Sequence, residues 1–452
     1  MVQSSDPRAL IWRALLLDWL GQALVIGLLL VQREGASFLF KVGQIENFWP
    51  WMLFCFLLYP LLGWLFGSYT VLRWRQLSVQ VLVQRLVLAS LGSVLLVAVV
   101  RWLVNPATEV WLVHRSVQLI WLGALFGWSL VVRLGLRRGV LSPERPKIVM
   151  LAEEEEWSRL LKAWQRVPQR DPLHRVSPGA LSTELAASQR SRLVVVSPEM
   201  RENADVVPLL ESLELQDPRQ VRVLSSLRLF SQQQERFPPF LMPEGRLDYD
   251  EIPWNRPFSL QAQLKRVADV VVAGSLFVVS APVILLAALL IWLEDQGPVW
   301  YAQQRSGLLG QPFRVMKLRT MTVQPQDAPA VWTSLGDQRI TRVGLWLRRL
   351  RIDELPQLLN VIRGEMSLIG PRPERPELEH HLEQAIPHYR KRHWMRPGLS
   401  GWAQVCAPYA SSIEDSDLKL SYDLYYLVNF NTWLDVVILF RTIKTVLKAS
   451  GR

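Results

Sequence analysis

The stretch RIDELPQLLNVIRGEMSLIGPRP, residues 351–373, sets two acids side by side, Asp353 and Glu354, with Arg348, Arg349, Arg351, Arg363 and Arg372 around them in sequence. Two carboxylates among several guanidiniums suit a site for metal and phosphate. Adjacent acids repel, and without compensation one would hold its proton to higher pH. A divalent cation or several arginines would keep both ionised. An ionised aspartate can then attack phosphorus, as in enzymes that form an aspartyl phosphate. Mg2+ is the natural metal, because it takes one or two carboxylates together with substrate phosphate oxygens. The plainer alternative is that Asp353 caps a helix and Glu354 lies in solvent.

The neighbouring residues indicate what must hold this pair. Ile340, Val343, Leu347 and Leu350 recur at three-to-four spacing, so 340–350 reads as an amphipathic helix with its arginines off the apolar face. A second helix is expected from Asp353, since Pro356 is tolerable only in a first turn and Gly364 makes a suitable end. The unpaired N–H groups of that helix start would attract phosphate. Upstream, RSGLLGQPFRVMKLRTM mixes basic residues with glycines.

The chain as a whole points to a membrane. It has 452 residues, is 50% hydrophobic, carries a net charge of +11 and contains 20 Trp. Trp favours the membrane interface, and the positive charge fits lipid or nucleotide phosphates. No zinc-finger spacing or basic region leading into heptads is present, so nucleic acid is not an expected partner. Cys55 and Cys406 lie far apart and read as free thiols. Apolar runs at about 9–31, 49–66, 79–100 and 117–132 approach the ~20 residues needed to cross a bilayer. The first is long and lacks a clear small-x-small site, so a cleaved signal peptide is not expected. Arg8, Arg13, Arg73, Arg75, Arg133, Arg137 and Arg138 place the N-terminus and everything after residue 133 in the cytoplasm. Asp18 and Arg85 fall within spans and are expected to face each other or the bundle interior.

Residues 146–258 change character. KIVML, RLVVVS and the weaker VRVL alternate with the helix-like stretches EEEEWSRLLKAWQ and NADVVPLLESLELQ, which suggests a small parallel α/β unit. Where a dinucleotide site would carry G-x-G-x-x-G, the chain reads LAEEEEW, and those acids would repel pyrophosphate. A scaffold, dimerisation or regulatory role is the default. After a polar linker at 245–258 comes a fifth apolar run, between Lys265-Arg266 and Glu294-Asp295. A fifth span would carry the acid pair across the membrane, away from cytoplasmic nucleotides. Ser280-Ala281-Pro282 in mid-run, with charges at both ends, favours a bent re-entrant helix over about 265–293. The amphipathic stretches IEDSDLKLSYDLYYLV and TWLDVVILFRTIKTVL are expected on the membrane face. Trp394, Trp402 and Trp433 are candidates either for headgroup depth or for core packing.

From Lys265 onward the chain resembles the bacterial sugar transferase family, the polyprenyl-phosphate hexose-1-phosphate transferases or monotopic phosphoglycosyl transferases. The stretches that carry the resemblance are KRVADVVVA, GPVWYAQQRSG, FRVMKLRTM, RITRVGLWLRR, IDELPQLLNVIRGEMSLIGPRPE, RPGLSGWAQV and KLSYDLYYLVN, in order over about the last 190 residues. In QQRSG, Ser306 stands where relatives usually have Val before the Gly of Q-x-R-x-G, and the α/β unit lacks glycines that some relatives carry. The resemblance implies a membrane protein of mixed α and α/β class. Residues 1–138 would form a four-helix transmembrane bundle, 139–258 a small Rossmann-like α/β domain with linker, and 259–452 a helix-rich catalytic domain with the re-entrant helix. It implies transfer of a hexose-1-phosphate from a nucleotide sugar, most often a UDP-hexose, to undecaprenyl phosphate, with release of UMP. Such proteins initiate O-antigen, capsule or exopolysaccharide at the bacterial inner membrane. By resemblance Asp353 is the nucleophile and Glu354 its partner, with Mg2+ at this pair. Arg348 and Arg372 contact phosphate, and Lys317 and Arg319 lie near the nucleotide. Lys265, Arg266, Ser280 and Pro282 shape the hairpin, and a homodimer is expected. The competing classes are an inactive membrane scaffold or sensor, which the intact dyad and GPRP loop argue against, and a transporter, which the single large polar block weakens.

Overall fold

The computed structural model describes residues 7–34, 48–69, 79–104, 114–138, 147–167, 172–186, 192–217, 220–242, 249, 252, 259–322, 337–407 and 412–447. The chain divides into two compact units, Met1–Ser226 and Leu227–Arg452.

In the first unit the expected apolar helices all form: α1 (Pro7–Glu34), α2 (Phe48–Leu65), α3 (Val79–Val104) and α4 (Arg115–Arg138). Within α1, α3 and α4 the stretches Ile11–Gln32, Leu82–Val104 and Arg115–Leu136 are long and apolar enough to cross a membrane, whereas Trp49–Leu65 is shorter. Leu16, Leu20, Leu24 and Leu28, four residues apart on one face of α1, stay exposed, as side chains that meet lipid would. Trp121, Leu125, Cys55 and Leu58 close the bundle core, and neither Cys55 nor Cys406 takes part in a disulfide. Asp18 does face the interior, but its partner is not Arg85. The Arg133 guanidinium forks onto both carboxylate oxygens, at 2.7 and 3.0 Å, while Tyr69 and Ser129 hydroxyls donate to the same carboxylate at 2.6 Å. Arg85 instead donates to the Gly67 carbonyl at 2.9 Å. Arg133, read in sequence as part of the basic flank, is therefore fully buried. A planar fork satisfies both oxygens at once, which is what an ionised carboxylate inside an apolar bundle requires.

The α/β part of this unit is a four-stranded sheet of order β2-β1-β3-β4, parallel throughout. Its strands are β1 (Lys147–Leu151), β2 (Leu173–Arg175), β3 (Arg192–Val196) and β4 (Val221–Ser225). The helices α5 (Glu154–Gln165), α6 (Pro178–Ala186) and α7 (Val207–Glu214) lie between strands in sequence. Val149, Leu151, Val194 and Val196 pack with Leu181, Leu210 and Leu213 in its core. The edge strand β2 lacks an apolar run and was not expected from sequence. At the end of β1 the chain enters α5 directly through a first turn of Glu154, Glu155 and Glu156, with no glycine turn.

The second unit is organised by one helix, α8 (Leu260–Asp295). It has 36 residues and runs unbroken through Pro282, a length of roughly 54 Å at the α-helical rise. Its inner side packs twice on the same body. Ala273 and Phe277 meet Val315, Leu358 and Val361, and Ile284, Ala287 and Ile291 meet Leu318 and Leu347. Its outer side leaves Val271, Val278, Val279, Leu285, Leu289 and Leu293 exposed. The packed body begins with an antiparallel pair, β5 (Trp300–Ser306) and β6 (Pro312–Leu318). It continues through α9 (Arg342–Arg349), a 3-10 turn (Ile352–Glu354) and α10 (Gln357–Arg363) to β7 (Ser367–Ile369) and α11 (Pro376–Ala385). A second 3-10 helix (Tyr389–Trp394) leads to β8 (Gly398–Ser400), which pairs in parallel with β7. The chain then forms α12 (Trp402–Cys406), α13 (Ile413–Asn429) and α14 (Thr432–Leu447). Trp402 is core, its indole N–H donating to the Glu235 carbonyl at 2.9 Å. Trp433 is exposed, and Trp394 is half-buried with Tyr249 set edge-on to it.

Candidate active site

The second helix does not start at Asp353. The helix α9 begins at Arg342, capped by the Thr341 hydroxyl accepting from Gly344 N. Arg351 then takes a left-handed conformation at φ 58° and throws the chain into the 3-10 turn that holds Asp353 and Glu354. The α-helix resumes only at Gln357, with Pro356 as its N-cap. Proline cannot donate a backbone hydrogen bond, so the turn before it is left to hydrogen bonds between near neighbours. The end at Gly364 is as expected, at φ 88°.

Both acids are buried, each 8% exposed, which overturns the reading of a cap and a solvated neighbour. Glu354 is closed by three cations. Its Oε1 accepts from Lys317 Nζ at 3.1 Å and Arg372 Nη2 at 2.7 Å, and its Oε2 from Arg351 Nη1 at 3.2 Å. Asp353 differs: among the described residues no hydrogen bond or ion pair closes on its carboxylate. Their charge states separate accordingly. Burial works against ionising Glu354, but the Arg372, Lys317 and Arg351 charges outweigh it and hold the group well below the usual range. Burial first, and the Glu354 charge second, push Asp353 up from 3.8 to about 6, against the pull of Lys317, Arg348 and Arg372. Burial also lowers the Lys317 ammonium, partly offset by Glu354.

Of the residues singled out from sequence, Lys317 and Arg372 are brought onto Glu354 by direct contact, and Asp353 lies beside it in the same turn. Arg348, in the last turn of α9, acts on Asp353 through its charge. Arg319 is placed elsewhere: it is 7% exposed and ion-paired to Asp295, with its guanidinium against Gly297. It thus staples the end of α8 to β6, and the two-residue step from Lys317 did not separate these duties. Arg266 donates to the Val361 and Ile362 carbonyls at 2.6 and 2.8 Å. It caps the C-terminus of α10, where a cation complements the helix dipole. Lys265 pairs with Asp435 at 2.8 Å. Ser280 donates to the Phe277 carbonyl at 3.3 Å, within the turn before Pro282.

Two supporting residues were not found by sequence reasoning. Arg351 was noted as a neighbour only, yet it is a Glu354 partner. Asn360 is fully buried and ties α10 to the strand of Lys317. It accepts from Met316 N at 3.1 Å and donates to the Arg314 carbonyl at 2.8 Å and to Glu365 at 2.6 Å. Its one signal is a polar amide inside the run LPQLLNVI.

Mg2+ keeps several waters and takes few protein carboxylates beside substrate phosphates. Of the dyad, the Asp353 carboxylate is the one open to a metal shared with substrate phosphate, since both Glu354 oxygens are taken up by Lys317, Arg372 and Arg351. Among the described residues no group of three His, Cys, Asp or Glu side chains could hold an ion.

Residues 260–449 match the bacterial sugar transferase family. The chain is 43% identical over 212 residues to the UDP-N-acetylgalactosamine-undecaprenyl-phosphate N-acetylgalactosaminephosphotransferase of Aeromonas hydrophila, covering 46% of this chain and 50% of that protein. It is 44% identical over 185 residues to the UDP-glucose:undecaprenyl-phosphate glucose-1-phosphate transferase of Caulobacter vibrioides, covering 40% and 69%. The protein of the same description from Escherichia coli K12 is 37% identical over 182 residues, covering 40% and 39%. The matched part thus spans about half the length of the Aeromonas relative and less of the Escherichia one.

Proposed function

This chain belongs to the bacterial sugar transferase family, and from that premise we propose that it transfers a sugar-1-phosphate from a UDP-sugar to undecaprenyl phosphate, releasing UMP. The observation that carries the assignment of roles is the asymmetry of the dyad: Glu354 is tied to three cations while Asp353 stays open. An Asp353 carboxylate oxygen attacks the β-phosphorus, the bond from that phosphorus to the bridging oxygen breaks, and UMP leaves with the electron pair. The sugar phosphate is then held as an acyl phosphate on Asp353. An oxygen of undecaprenyl phosphate attacks the same phosphorus and restores the carboxylate. Lys317, Arg351 and Arg372, gathered around Glu354, neutralise charge on the phosphoryl oxygens, and Arg348 favours the ionised nucleophile. Mg2+ bound at the dyad together with diphosphate oxygens would add to that neutralisation.

The site belongs at the cytoplasmic membrane face, where nucleotide sugars are found. The helix α8 supports this. Arg266 and Asp269, near its start, bind α10 and the Leu368 amide. Glu294, at its end, accepts from Val343 N. Both ends of α8 are thus held within the same unit, which supports the reading that α8 does not carry the acid pair across the membrane.

The test is UMP release by the full chain in nanodiscs containing undecaprenyl phosphate, with a panel of UDP-sugars. Turnover is expected to require Mg2+ and to stop on chelation. Without the lipid acceptor, intact-mass analysis should show one sugar-phosphate adduct, absent in Asp353→Asn. Turnover by Asp353→Asn near the wild-type rate would overturn the nucleophile assignment.

A further inference from the structure

The loop Gly370–Glu374 carries Arg372 to the dyad, and its backbone is held at each residue. Gly370 N donates to the Ser400 carbonyl and Gly398 N to the Pro371 carbonyl, both at 2.8 Å. Ser306 N donates to the Glu374 carbonyl at 3.1 Å, and Arg305 makes a longer contact of 3.5 Å to the Pro373 carbonyl. Gly370 and Gly398 allow this approach, since a Cβ on Gly370 would lie 2.3 Å from the Arg396 carbonyl oxygen. The carbonyl of Arg372 itself accepts from Arg392 Nη2 at 2.8 Å. Arg392 is 6% exposed. Its Nη2 also meets Asp423 Oδ2 at 3.1 Å, and its Nη1 donates to Tyr389 Oη at 2.6 Å. Asp423, on α13, is 3% exposed.

Resting on the reaction above, we propose that Arg392, oriented by Asp423, is a positioning residue for that reaction. It fixes the main chain of Arg372 so that the Arg372 guanidinium meets Glu354 and the transferring phosphate. The line of contacts runs from Asp423 to Arg392, to the Arg372 carbonyl, and through the Arg372 side chain to Glu354 Oε1. Arg392 itself touches no dyad oxygen. A buried arginine fits this task because its planar fork serves three acceptors at once. Lysine, a point charge on a flexible stem, does not. Misplacing a phosphate-binding group by about 1 Å can cost on the order of a hundredfold in rate.

The experiment is a double-mutant cycle on UMP release by the full chain in nanodiscs, using Arg392→Lys and Arg372→Ala singly and together. Arg392→Lys is expected to lower kcat by about tenfold to a hundredfold, and to add little or nothing once Arg372 is alanine. A residue that only supports the fold would lower the rate by the same factor in both backgrounds, and that result overturns the proposal. Asp423→Asn, which keeps the shape of its side chain, is expected to show the same non-additivity. Thermal midpoints of all variants separate loss of fold from loss of position, and a rate loss that tracks the midpoint counts against the proposal. A wild-type chain that releases no UMP from any nucleotide sugar overturns the reaction itself, and this role with it. An active wild type with multiplicative variants overturns the positioning role alone.

Discussion

Replacing Asp353 by asparagine is expected to silence the protein and to stabilise it. The Asp353 carboxyl is raised from 3.8 to about 6, first by burial and next by the neighbouring Glu354 charge. That shift amounts to about 3 kcal/mol of unfavourable free energy for the ionised form in the folded protein. The direction with pH follows. The folded state binds this proton more tightly than the unfolded chain, so stability falls as pH climbs from near 4 to near 6 and stays reduced above that. Asparagine has a similar shape and no charge. Asp353→Asn should therefore unfold at a higher temperature than wild type at pH 7.5, by an amount corresponding to at most about 3 kcal/mol. The gain should shrink at pH 5 and vanish near pH 4. Thermal midpoints of both proteins in identical nanodiscs across this range, run beside UMP release, are the assay. A variant less stable than wild type at pH 7.5, or a gain independent of pH, would show that the Asp353 charge is not held against its surroundings.

Three further outcomes are expected. The kcat/KM of wild type should rise with pH to a plateau through about pH 6, since the proposed mechanism has the ionised Asp353 attack. Glu354→Gln should move that limb to lower pH, and a limb that stays in place would separate it from Asp353. Asn360→Ala strands Met316 N–H and the Arg314 carbonyl inside the protein. The midpoint should fall by the equivalent of about 3 kcal/mol, and an unchanged midpoint would mean that these groups find other partners. In the bundle, Asp18→Leu alone leaves the Arg133 guanidinium buried without its carboxylate. A cost of about 3–5 kcal/mol is expected, whereas Asp18→Leu with Arg133→Leu should lie closer to wild type; equal losses in the single and double variants would refute the pairing.

Chemistry that depends on residue type and local spacing was legible in the chain. The apolar runs gave four helices near their observed bounds. The strands KIVML, RLVVV and VRVL formed, and the acid pair with its arginines marked a turn where buried carboxylates gather cations. Gly364 ended its helix because only a residue free to adopt positive φ suits that place. What the linear order could not show was how charges are shared. Arg351, Lys317 and Arg372 lie 3, 37 and 18 residues from Glu354, yet all three close on it and none on Asp353. Arg319, two residues beyond Lys317, went instead to Asp295. Asp18 took its partner from 115 residues away. Hydrophobic periodicity is written in neighbouring residues and survives without tertiary structure. The pairing of a buried charge is set by which side chains the packed helices and strands bring within about 3 Å, and the difference between a saturated Glu354 and an open Asp353 exists only once that packing is complete.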